Sequence, residues 1–443
     1  MSPYIISYLH ENVDECVDHA YSIWLAAGSS AMFGITMPLS GMLWKKMGLR
    51  RLVLSACLLN SISVFVSSFT INANFGLFFF TYAILASSAV GIGYGLSLQA
   101  AITWFPKNRG LVMGICAVGF GSGVSVLAPV QTLLINPNNK PVSPGTNMFK
   151  EYEVLVRVPI CLQITGALIS SLQVIGCCVL RPRPISDETS EGVAMETPRT
   201  EGTSKSQDLT PRQAVRHRDL YFFWAIMFCS LAPHTLISAQ VKTLALPAIQ
   251  DDRYLTLVGA LGGVFNTLSR LIWGCFVDRI SFKAPLCLVN VIYAAVLASL
   301  PYIPWIAGSG RYLYGVWITV MFLCVGGNFL LISVGVTARL GLRHFAENYG
   351  IVYTARVSIP ASIISAAILS SVNTQLYAKE AFYGCGAIAL LSAVLCVGFI
   401  DVRLTYCATS RRASGSQGED ASKQTVRTSN HEQPPFLRSN PYS

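Results

Sequence analysis

Two arginines sit where a chain would not ordinarily place a charge. Arg270 lies in "NTLSRLIWGCFVDR" and Arg356 in "NYGIVYTARVS", each about six residues inside a long apolar run. A charge held in hydrocarbon costs roughly 3 kcal/mol or more, so such side chains are rare and mostly serve function. A guanidinium stays protonated at physiological pH, and its planar fork grips a carboxylate through two parallel hydrogen bonds. No Asp or Glu lies in the interior of the apolar runs to neutralise the pair. Two buried cations without an acid call for an anion, and a small carboxylate fits the fork. The competing reading is that both side chains snorkel to the lipid headgroups.

Other polar residues in the runs carry less weight. Asn266 lies one turn before Arg270, and Tyr353, Asn328 and Gln131 sit in runs able to line the same cavity. A buried amide or phenol must find a partner in any case, so each is as well explained by a bond to a neighbouring helix. His234 is the interior group that titrates near neutral pH, and it is expected to serve packing rather than proton transfer. "GIGYG" (Gly91–Gly95) and "GFGSG" (Gly119–Gly123) superficially resemble nucleotide loops, but they lie inside apolar helices and suit close helix packing instead. No nucleophile–base pair and no metal-ligand spacing occurs near the runs. Neither an enzyme nor a cofactor or metal is expected.

The elements that must position the arginines follow from composition. The chain has 443 residues, of which 52% are hydrophobic and 12% charged, against roughly 25% charged in a globular protein. Mean hydropathy is +0.51. Eleven runs are long enough to cross a bilayer: Tyr21–Trp44, Leu52–Thr70, Phe75–Phe105, Leu111–Leu134, Val158–Leu180, Leu220–Val241, Leu255–Phe276, Pro285–Ile306, Tyr312–Ala338, Ile351–Leu376 and Ala381–Ile400. An all-α, multi-pass membrane protein is expected. The net charge of +10 does not imply nucleic acid. Its cations cluster in "KKMGLRR", "PKNR", "DRISFK" and "RLGLRH", which fall on alternate loops and mark the cytoplasmic face. Lipid is the expected surroundings, in the plasma membrane first and an organelle membrane as the alternative.

Four parts are expected along the chain: an N-terminal bundle over 1–180, a cytoplasmic linker over 181–219, a C-terminal bundle over 220–402 and a disordered cytoplasmic tail over 403–443. The linker ends in "LTPRQAVRHRDLYFFW", where a Thr followed by Pro suits the start of a short interfacial helix. Around it the chain repeats itself. "FPKNRGLV" (Phe105–Val112) aligns with "FAENYGIV" (Phe345–Val352) at an offset of 240, and "GMLWKKMGLR" (Gly41–Arg50) with "GCFVDRISFK" (Gly274–Lys283) at an offset of 233. Such symmetry belongs to transporters built from two similar bundles. The repeat-mates of Arg270 and Arg356 are Met37 and Cys116, so the charge is one-sided.

The second repeat pair resembles the loop motif of the major facilitator superfamily. Gly274, Asp278, Arg279 and Lys283 fit it, as do Gly41, Gly48, Arg50 and Arg51, with Lys45 where the motif carries its acid. The resemblance implies a fold of two six-helix bundles, whose halves that acid helps latch together. With eleven runs, the first family helix is expected to be missing, and "MSPYIISYLHENVDECVDHAYSIWLAAG" to be the external loop that follows it. "ENYGIVYTAR", "WFPKNRGLVMGICAVGFGSG", "VQTLLINPNN" and "NTLSRLIWGCFVDR" are similar to the oxalate:formate antiporter branch. There an arginine of the eighth helix and a lysine of the eleventh bind the substrate dianion, and Arg270 and Arg356 occupy those positions. The resemblance implies exchange of small carboxylates. The neighbouring monocarboxylate transporters also carry the first arginine, with a proton-coupling aspartate at the position of Asn266. A proton-linked carrier and a non-transporting paralogue or sensor are the alternatives.

Overall fold

A computed structural model shows the architecture, and it describes residues 1–17, 21–105, 107–138, 140, 148–181, 208–249, 251–279, 281–306, 308–357 and 374–397. The expected disordered tail and most of the linker lie outside these residues, as does the second part of the tenth run. All regular structure among the described residues is helical, as a bilayer demands of a chain that must satisfy its backbone internally. The helices are α1 (Ser2–Asn12), α2 (Tyr21–Met47), α3 (Leu49–Thr70), α4 (the continuous Phe75–Trp104), α5 (Arg109–Ile135), α6 (Arg157–Val179), α7 (Arg218–Ile249), α8 (Asp252–Val277), α9 (Lys283–Ser299), α10 (Gly310–Leu340), α11 (Phe345–Tyr353, tightening to a 3-10 turn over Thr354–Val357) and α12 (Thr374–Val397). By length and composition alone, six described helical stretches qualify as membrane spans: α3, α4, α5, Tyr152–Val179, Leu257–Val277 and α10.

α1 corrects an expectation. The opening segment is a helix, not a loop, and its i, i+4 pair Ile5 and Leu9 is fully buried with Ile6 against Phe78, Ile135, Val158 and Leu162. The loop was expected from the count of eleven apolar runs, and an eleven-residue amphipathic helix is too short to add to that count. Elsewhere the apolar faces point outward. Leu172 and Ile175 are about 60% exposed on α6, a placement that suits hydrocarbon rather than water.

Glycines bring the two halves into backbone contact at two crossings. Where α5 meets α8, a Cβ on Gly274 would stand 2.6 Å from the Gly110 carbonyl oxygen, and one on Gly114 would stand 2.7 Å from the Arg270 carbonyl. Where α2 meets α11, a Cβ on Gly350 would stand 2.7 Å from the Pro38 backbone. Gly110 and Gly350 are repeat-mates, so one residue type closes both seams. Gly48, at φ +78°, lets the chain pass from α2 to α3 through a single residue. In the same way a capping box between Thr210 and Gln213 starts the one-turn helix Pro211–Ala214 after the linker.

Candidate functional site

Between the halves lies a small cavity lined by Tyr94, Met113, Phe120, Phe329, Tyr349 and Tyr353 together with both arginines. α8 supplies Arg270 and the 3-10 turn after α11 supplies Arg356. Tyr349, Tyr353 and Arg356 follow at i, i+4 and i+7, so they share one face. Because α11 starts at Phe345, Arg356 lies eleven residues from its beginning, or about 16 Å along the helix. That is deeper than the apolar run suggested.

Each guanidinium is partly satisfied. Arg270 donates from Nη1 to the Ala117 carbonyl on α5 (2.9 Å), and from Nη2 to Asn266 Oδ1 (3.3 Å). Arg356 donates from Nη1 to the Tyr353 hydroxyl (3.0 Å). Among the described residues both Nε atoms are buried without a partner, and an unpaired buried donor is costly to leave so. No Asp or Glu among the described residues lines the cavity. Aromatic faces stand in instead: the Arg356 guanidinium lies 4.8 Å from the Phe33 ring and that of Arg270 lies 5.4 Å from Phe329, favourable for a cation over a π face. Phe33, Tyr94, Phe120 and Tyr353 pack on one another with centroids 5.0–6.1 Å apart. The space is about 30 Å³, above the roughly 10–15 Å³ that one water needs. A carboxylate enters only if the lining side chains part.

Not every candidate gathers here. Asn328 is buried in a separate amide–hydroxyl network with Asn290 and Ser230, inside the C-terminal half. Gln131 donates to Thr165 between α5 and α6. His234 meets the Phe322 ring edge-on. These side chains do not line the cavity, whereas Asn266 touches the site through Arg270. The aromatics Phe33, Tyr94, Phe120, Phe329 and Tyr349 went unnoticed in the sequence, because rings at helical spacing read as core. Only the shared face of Tyr349, Tyr353 and Arg356 offered a signal.

At the end of the fold that carries the basic loops the halves are latched twice, with opposite chemistry. Asp278 accepts from the backbone N–H groups of Gly110 (2.7 Å) and Leu111 (2.9 Å) in the first turn of α5, where the helix dipole favours an anion. At the repeat-related seam Lys45 occupies the equivalent position, and its Nζ pairs with Glu347 Oε1 at 2.9 Å in the first turn of α11. His344 Nδ1 holds the other oxygen of Glu347 at 3.0 Å. The departure from the loop motif is thus a reversal of charge with a matching partner. Lys45→Glu is expected to set two carboxylates together over a buried Glu347 and to raise cytoplasmic access to the cavity about tenfold or more. Lys45→Glu/Glu347→Lys should recover most of the closure. Thiol labelling of a cysteine placed in the cavity measures both, and a double variant no tighter than the single one would remove the pair from the latch.

Comparisons with known proteins give the family and the fold. The family model described as Major Facilitator Superfamily matches residues 1–365. The chain is similar to the Apicoplast pyruvate carrier 1 of Toxoplasma gondii, 23% identical over 373 residues, covering 76% of this chain and 67% of that one. It is also similar to the Oxalate:formate antiporter of Oxalobacter formigenes, 24% identical over 307 residues, covering 67% of this chain and 63% of the antiporter. Among solved structures, the proton:xylose symporter XylE aligns with TM-score 0.64 at 13% identity, covering 90% of this chain and 92% of XylE. The transporter FucP in its outward conformation aligns with TM-score 0.60 at 13% identity, covering 89% and 97%. A family model over most of the chain, the same fold in solved transporters and a polar cavity between two latched halves make this chain an integral membrane transporter of the major facilitator superfamily.

Proposed function

We propose that the chain carries small carboxylate anions across its membrane by alternating access, and that it does so by exchange. One observation carries the reading: two guanidiniums, each with a buried unpartnered Nε, open on one acid-free cavity between the halves. Fixed cations attract a small anion strongly and are satisfied best when one is bound. Asn266 and Tyr353 complete the anion's shell, Asn266 through Arg270 and Tyr353 through its hydroxyl. The names of the two relatives, a pyruvate carrier and an oxalate:formate antiporter, support the substrate class.

Exchange follows from charge. A proton symporter needs a group that takes up a proton at working pH, and interior carboxylates are the usual carriers. Asn266 cannot ionise, so the empty site keeps both positive charges at any physiological pH. The return step is then easiest with a counter-anion bound. Uptake of labelled oxalate, formate, pyruvate or lactate into liposomes is expected to rise severalfold when the lumen is preloaded with carboxylate, and to change little under an imposed proton gradient. Strong acceleration by an inward proton gradient, with no response to preloading, would assign the chain to proton-linked monocarboxylate transport instead.

A further inference from the structure

The linker rejoins the described fold at Asp208, and it does so on the turn between α10 and α11. Asp208 Oδ1 accepts from the N–H groups of Leu342 (2.9 Å) and Arg343 (3.2 Å). Leu209 N donates to the Leu340 carbonyl (3.0 Å), and Asn348 Nδ2 donates to the Leu209 carbonyl (3.0 Å). Gly341, at φ +91°, makes the approach possible, since a Cβ there would stand 2.7 Å from Asp208 Cα. From the other side, buried Gln99 of α4 holds the same two residues by their carbonyls. Its Nε2 donates to the Arg343 carbonyl (3.0 Å) and, more weakly, to that of Leu342 (3.4 Å), while Ala346 N donates to its Oε1 (3.1 Å).

We infer that Asp208 and Leu209 form a strap on the cytoplasmic gate, which sets how readily the transporter opens inward. The strap holds the N–H side of the turn whose C=O side Gln99 grips from the N-terminal half. Opening toward the cytoplasm must release Gln99 from this turn. A carboxylate on two N–H groups is a strong, charge-assisted contact, and it fixes the turn in the shape that Gln99 fits. Release of the strap frees the turn and weakens the grip of Gln99, with no residue of the cavity altered.

The test uses the full chain in membrane vesicles, with native cysteines replaced and Ser333→Cys as reporter. Ser333 is buried on α10, and its hydroxyl reaches Met113 Sδ across the halves at 3.4 Å. A membrane-impermeant maleimide applied to the cytoplasmic face reads inward opening. Asp208→Ala is expected to raise the labelling rate about tenfold, the scale of a lost charged hydrogen bond acting on the open–closed equilibrium. Gln99→Ala should act similarly, and Gln99→Ala/Asp208→Ala should add little beyond the larger single effect, because both act through one turn. Asp208→Asn keeps shape and acceptor without the charge; it should fall between, and it decides the matter if the alanine variant inserts poorly. Labelling at the unaltered rate in the Asp208 variants, or effects of Gln99 and Asp208 that multiply in full, would overturn the strap. Labelling involves no substrate, so its failure leaves the carboxylate reading intact, and the reverse holds too.

Discussion

Arg270→Ala and Arg356→Ala should each reduce carboxylate transport about 100-fold or more while the protein still reaches the membrane. The magnitude follows from removing one side of a buried, charge-assisted contact, which ordinarily costs a few kcal/mol of affinity. The two losses differ in kind. Arg270 also ties α8 to the Ala117 carbonyl of α5, so its removal loosens the contact between halves as well as the site. Arg356 hydrogen-bonds within its own turn, to Tyr353, and meets the other half through the face of the Phe33 ring, so its loss should fall mainly on anion binding. Arg356→Lys keeps the charge, shortens the reach and surrenders the fork; it should keep a fraction of the rate and shift the preference among carboxylates. Uptake by purified variants in liposomes gives the answer. Full transport by Arg356→Ala would mean that this side chain does not meet the substrate.

Gly274→Leu should slow exchange about tenfold or more, by a different route. Overfilling a tight contact costs about 1–3 kcal/mol, and here no flexible side chain can give way. The atom facing position 274 is the Gly110 carbonyl oxygen, 2.6 Å from where a Cβ would lie. α5 and α8 must therefore separate, which also draws Asp278 away from the Gly110 and Leu111 N–H groups. The carrier should remain open to the cytoplasm, with faster maleimide labelling at Ser333→Cys from that side. Gly350→Leu, at the repeat-related crossing, should do the same through Pro38. Exchange at the unaltered rate in both variants would show that the closed crossings are not visited in the cycle.

Much of the architecture was legible because a 20-residue apolar run in a bilayer has few alternatives. The run Leu111–Leu134 became Arg109–Ile135, and Tyr21–Trp44 became Tyr21–Met47. Departures came where hydropathy measures the wrong thing. α11 begins at Phe345 rather than Ile351 because Ala346, Glu347 and Asn348 are buried between the halves, where protein partners replace lipid. Polar residues there looked like loop. α1 was read as loop because its eleven residues are too few for a membrane-spanning run. In the site, Arg270 and Arg356 stood out because a charge in hydrocarbon demands a reason. Asn328 and Gln131 did not turn toward the cavity, since an amide bonds as well to Asn290 or Thr165 as to a substrate. The aromatic walls were silent, because a ring's role depends on which helix faces it. Lys45 looked like a missing acid until Glu347, the repeat-mate of Lys107, appeared opposite.

The reversed latch makes the two sides of the gate unequal toward dissolved ions. Asp278, itself exposed, works on neutral backbone N–H groups at short range, a charge–dipole contact that salt screens less than a pair of full charges. Lys45 is 59% exposed, and an ion pair with one member in water weakens as ionic strength rises. Concentrated cytoplasmic electrolyte should therefore loosen the α2–α11 seam before the α5–α8 seam. Inward opening would begin as a one-sided tilt, and the salt concentration at which it begins would be set by a single lysine.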